Sequence, residues 1–209
     1  MKQYLERRIN ERVESGESGF TLIELLVVML IILILLAIAI PTFLGIINNA
    51  HNTGAASNLG NAIIEASADY TQDSGNFGQT ATAVVPELQS LEPSLVFQTT
   101  AINTTNDTSG TNNAVQIDAC SNAGSTCQWV AMSAWASASG VCYYVFLNKG
   151  PQISATTITG TAWAGSAISG GNLPQGVTYG TSGTKVMNGG CDVTKDAVGN
   201  AQTGGFPAA

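Results

Sequence analysis

The 209-residue chain is 44% hydrophobic and only 10% charged, with a mean hydropathy of +0.19. Fourteen acidic side chains against seven basic ones give a net charge of −7, which repels a phosphate backbone and disfavours direct nucleic-acid binding. A single histidine and the absence of G-x-x-x-x-G-K-[ST], G-x-G-x-x-G, H-E-x-x-H and G-x-S-x-G argue against an enzyme, a metal centre or a resident cofactor.

Residues 1–19 hold Lys2, Arg7, Arg8 and Arg12 against Glu6, Glu11, Glu14 and Glu17, and no further lysine or arginine occurs before Lys149. Orientation in a membrane follows the basic residues, so this leader is expected to stay cytoplasmic and the remainder to be exported. From Leu25 to Ile47 there is no charge. A helix of that length rises about 35 Å, enough to cross a bilayer core of about 30 Å. Glu24 stands at the mouth of this run, where a carboxylate must be solvated, neutralised or paired. One reading makes Glu24 a solvated residue at headgroup depth; the other makes it a functional acid with a partner. Ala37-Ile38-Ala39 offers a competing small-x-small signal-peptidase site, which would leave Ile40 as the new terminus.

The stretch Gly19-Phe20-Thr21-Leu22-Ile23-Glu24, followed by Leu-Leu-Val-Val-Met-Leu, resembles the type IV pilin and pseudopilin signature over roughly residues 15 to 47. The resemblance implies that a membrane-embedded prepilin peptidase cuts between Gly19 and Phe20 and N-methylates Phe20. It also implies that Glu24 pairs with the terminal amine of a neighbouring subunit during filament growth. Elementary electrostatics favours such a pair, because opposite charges attract strongly once water is excluded.

Pro41 lies inside the apolar run, where it removes a hydrogen bond and clashes with the preceding turn at a cost of about 3 kcal/mol. A kink at 37–41 is expected there, and the resemblance places a bend at the matching proline. Beyond Ile47 the pattern turns amphipathic. Leu59, Ala62, Ile63, Ala66 and Tyr70 recur at spacings of three and four, so one helix is expected from Phe20 to about Asp73, with Gly75 as its C-cap. His51 reads as a surface residue near the membrane boundary.

Residues 76–94 read as a connecting loop broken by Pro86 and Pro93. Short strands are expected at Leu95–Thr100, Ala114–Cys120, Cys127–Ala134 and Gly140–Leu147, the last as a central strand, with a polar hairpin loop at Asn103–Asn113. Ile153–Trp163 adds a further candidate strand, Gly165–Gly180 reads as irregular, and Gly199–Ala209 as loosely ordered. The four cysteines of an exported domain point to disulfides, and three pairings are possible. Cys120 with Cys127, flanking a hairpin connection, and Cys142 with Cys191, closing a long loop, are favoured. The latter resembles the C-terminal disulfide-bounded region of many pilins.

These readings combine into an α+β chain. Residues 1–19 form a leader that is removed, 20–73 a long kinked helix (20–47 as membrane anchor and filament core, 48–73 as the amphipathic half), and 74–209 a small antiparallel β head. The expected function is a structural subunit of a type IV pilus filament serving adhesion, motility or DNA uptake. Its expected partners are copies of itself, the inner membrane, the prepilin peptidase and the assembly machinery, and its final place is the cell surface. The alternatives are a minor pilin or pseudopilin of a secretion or competence system, and an exported binding domain or enzyme released after Ala39.

Overall fold

The computed structural model describes residues 19–78, 80–102, 113–119, 127–154, 172–182, 191–193 and 206. The chain divides after Gly45 into two compact units. One helix, α1 (Leu22–Gln72), supplies residues to both.

In the first unit α1 is apolar all round and long enough to cross a membrane, and none of its most apolar stretch is buried. It stays helical through Pro41. Pro41 leaves the Ala37 carbonyl without its backbone donor, and Thr42 Oγ1 donates to the next carbonyl, Ile38, at 3.2 Å, a back-bond that favours bending of the helix.

In the second unit α1 becomes amphipathic and buries Ala55, Leu59, Ala62, Ile63 and Ala66. The helix ends in two left-handed residues, Ser74 (φ 57°) and Gly75 (φ 86°), with Gly75 N–H returning to the Tyr70 carbonyl at 2.9 Å. That six-to-one closure satisfies one of the carbonyls left open at a helix end. Residues 76–94 do not form the plain loop expected of them. A second helix, α2 (Ala81–Leu91), runs through Pro86. Its apolar residues Ala81, Val84, Val85, Leu88 and Leu91 keep helical spacing, and burial of Val84 and Leu88 outweighs the one hydrogen bond that Pro86 removes.

Among the described residues seven strands follow: β1 (Val96–Gln98), β2 (Ala114–Ala119), β3 (Trp129–Ala136), β4 (Val141–Asn148), β5 (Ile153–Ser154), β6 (Asn172–Leu173) and β7 (Gly176–Thr181). Five of them form a sheet in the order β1-β2-β3-β4-β7, and β5 pairs with β6. The sheet is mixed rather than antiparallel throughout, because β1 runs parallel to β2, Val96 opposite Ala114. Two parallel neighbours cannot be joined by a tight hairpin, and 103–112 of the hairpin loop expected at Asn103–Asn113 lie outside the described residues. β4 is interior, between β3 and β7, while β3 holds the middle place. β7 occupies part of the stretch expected to be irregular, and 155–163 of the candidate strand at 153–163 lie outside the described residues.

Nearly every residue of β3 and β4 is buried, so both sheet faces are covered. Val115, Ile117, Val130, Met132, Ala134, Tyr143, Val145 and Leu147 join the buried stripe of α1 in one core. Ala131, Trp135, Cys142, Tyr144 and Phe146 point the other way and are covered by Ile102, Leu173, Cys191 and Val193. Double coverage explains why Val141-Cys-Tyr-Tyr-Val-Phe-Leu147 is continuous rather than alternating in hydrophobicity.

Candidate functional site

Two regions carry the chemistry that the sequence singled out, one at the start of α1 and one on the outer sheet face. At the start of α1, nothing lies within 4 Å of where a Gly19 side chain would stand, and Phe20 is 82% exposed. The peptide bond between them is open to solvent on the side-chain side. Thr21 takes the N-cap place. Its backbone N–H and its hydroxyl both donate to Glu24 Oε2 at 2.8 Å, and Glu24 N–H donates back to Thr21 Oγ1 at 3.3 Å. This is a capping box, in which two of the donors left free by a helix start are satisfied reciprocally. The pattern Thr-x-x-Glu before an apolar run is its sequence signal, and the reading of Glu24 as an acid awaiting a partner missed it.

Both bonds end on one oxygen, so Oε1 is left open to a further donor. Phe20, Ile23, Glu24, Val27 and Val28 line a shallow groove whose walls are almost wholly apolar. Beyond it the apolar side chains stay outside, Ile38 at 67% and Ile46 at 60% exposure.

On the outer face of the sheet, Cys142 of β4 is disulfide-bonded to Cys191, with Cα atoms 5.5 Å apart. Cys127 is also disulfide-bonded, while Cys120 lies outside the described residues. Ile102 and Cys191 exchange backbone hydrogen bonds at 2.8 and 2.7 Å, which lays residues 191–193 over the sheet as a strap. Gln116, buried in β2, holds the strap from below. Its Oε1 accepts the Val193 N–H at 2.8 Å and the Ser133 hydroxyl at 3.2 Å, and its Nε2 donates to Asp192 Oδ1 at 3.2 Å. Beside it, Asp118 has its carboxyl pushed up to about 6, chiefly by burial and further by the negative charge of Asp192. Sequence reasoning named the cysteines of this layer but neither Gln116 nor Asp118, because a lone glutamine in a strand carries no signal of a partner 77 residues away.

His51 is half-buried in α1. Among the described residues no group of three or more histidine, cysteine or acidic side chains could hold a metal ion.

The start of α1 thus combines an apolar, unburied helix long enough to cross a membrane with an acid in its capping box and an exposed Gly19–Phe20 bond before it. Residues 15–40 match the family described as the prokaryotic N-terminal methylation motif, the signature of type IV prepilins. No curated protein and no solved structure matches the chain.

Proposed function

We propose that the chain is the structural subunit of a type IV pilus filament. In this reading residues 1–19 are a leader removed by a prepilin peptidase, Phe20 becomes the N-methylated terminus, and 20–47 serve first as a membrane anchor and then as filament core. The observation that carries the reading is the position of the methylation motif at 15–40, overlapping a helix half whose apolar side chains are exposed. Lipid first and neighbouring helices later would cover that surface. Gly19 is compatible with the cleavage reading, because nothing lies within 4 Å of where its side chain would stand and the bond is open to a protein that reads it.

Cleavage creates an amine at Phe20, and Glu24 Oε1 is the oxygen left for it, on the same chain or on a neighbour. Leaving lipid for protein brings little net hydrophobic gain, so packing and this ion pair would supply the specificity, and an assembly ATPase the work of extraction. A bend at Pro41 would let one helix fit both environments.

Sheared surface filaments provide the test. Mass spectrometry of their subunit is expected to find N-methylated Phe20, whereas a terminus at Ile40 removes the reading altogether. Scarcity in such filaments beside a functioning secretion system would point instead to a pseudopilin. Glu24→Ala is expected to leave export and cleavage intact and to reduce filament numbers in electron micrographs; undiminished numbers would sink the pairing.

A further inference from the structure

Asp69 lies in the last turn of α1 and is only 5% exposed, yet its Oδ2 has no hydrogen-bond partner. The group facing it from α2 is the exposed carboxyl of Glu87, with which it shares a hydrogen bond, and Asp73, just past the end of α1, adds a second negative charge. Among the described residues the other surroundings bring no compensating cation. Glu65 is one turn back on α1, 74–78 and β1 contain no ionisable side chain, and residues 19–102 contain neither lysine nor arginine. Glu92, at the far end of α2, is occupied by hydrogen bonds from Ser94.

Two carboxylates cannot hydrogen-bond to each other, since both are acceptors only. A shared proton turns one of them into a donor and removes a like-charge contact in the same step.

We propose that Asp69 and Glu87 form an acid-operated clasp, which fastens α2 to the C-terminal end of α1 while one proton is shared and loosens when that proton leaves for solvent. Burial first, then the charges of Glu87 and Asp73, hold the Asp69 carboxyl up to about 6, so the clasp works between mildly acidic and neutral solution. The element it controls is tied to the sheet. Gln89 of α2 donates to the Leu95 carbonyl at 2.7 Å and accepts the Phe97 N–H at 3.1 Å, so an α2 freed from α1 loosens the entry into β1 as well.

Amide hydrogen exchange on the full chain in detergent micelles tests the clasp, with rates corrected for the intrinsic pH dependence of exchange and β4 as an internal reference. Protection of Ala81–Leu91 is expected to fall about tenfold relative to β4 from mildly acidic to neutral pH, following the loss of one proton. In Asp69→Asn the side-chain amide donates to Glu87 permanently, so protection is expected to stay high and flat with pH. Glu87→Gln supplies a donor from the other side and keeps the question open to test if the first variant folds poorly; it too should lose most of the slope. Flat protection in the unmodified protein, or an unchanged slope in both variants, would overturn the proposal.

Discussion

Gln116 and Val193 are 77 residues apart and joined by a 2.8 Å hydrogen bond inside the protein, from the Val193 backbone N–H to the Gln116 side-chain oxygen. The same amide group serves Ser133 and Asp192, so one side chain in β2 organises the strap, the neighbouring strand and a buried acid together.

Replacing Gln116 with leucine keeps the volume and removes every one of these bonds. The Val193 N–H and the Asp192 carboxylate lose partners in a buried place, so a loss of about 2–4 kcal/mol is expected. Denaturant unfolding of the full chain in micelles measures it. A loss below about 0.5 kcal/mol would show that water replaces the glutamine.

The Cys142–Cys191 disulfide closes a loop with a sequence separation of 49. Chain-entropy reasoning gives it about 4 kcal/mol. Cys142→Ser with Cys191→Ser should therefore lower the thermal midpoint by many degrees and expose residues 191–193 to proteolysis before the strands are cut. Equal melting of the two proteins would contradict the assignment of the strap as a stabilising element.

Within the second unit the two faces of α1 predict opposite outcomes. Leu59 is fully buried and Ile64 is 65% exposed. Leu59→Ala is expected to cost about 2–5 kcal/mol, and Ile64→Ala less than about 0.5 kcal/mol. Comparing the two by urea unfolding tests the orientation of the helix about its own axis.

Stability should fall as pH rises. The carboxyls of Asp118 and Asp69 move from 3.8 to about 6 on folding. Across that window the folded protein binds more protons than the unfolded chain, so the stability difference shrinks with rising pH and levels off above the folded values. Urea midpoints taken from about pH 4 to 7.5 should trace this decline. Asp118→Asn should flatten part of it, and a midpoint that climbs with pH would reverse the argument.

Much of this fold was legible because it rests on periodicity. The three-and-four spacing of Leu59, Ala62, Ile63 and Ala66 gave the amphipathic half of α1, and the apolar runs gave β3 and β4 to within a residue or two. The errors share a cause in long-range burial. Pro86 reads as a breaker because its lost hydrogen bond is local, while the burial of Val84 and Leu88 that outweighs it depends on distant partners. β7, Gly176-Val-Thr-Tyr-Gly-Thr181, is poor in strand signal and is held by pairing with β4. The parallel pairing of β1 with β2 is a long-range choice that no local pattern announces. At the site, Gly19, Phe20 and Glu24 are contiguous in sequence and were read together, whereas the Gln116 clamp and the Asp69–Glu87 contact exist only after folding.

The strap has a mechanical meaning as well. In the filament proposed above, force drawn through the head from its two ends would pass directly across the Cys142–Cys191 bond. The chain between those cysteines, about 160 Å if pulled straight, is then hidden length that tension cannot pay out while the bond is intact. Reduction would turn the same head from a stiff link into an extensible one.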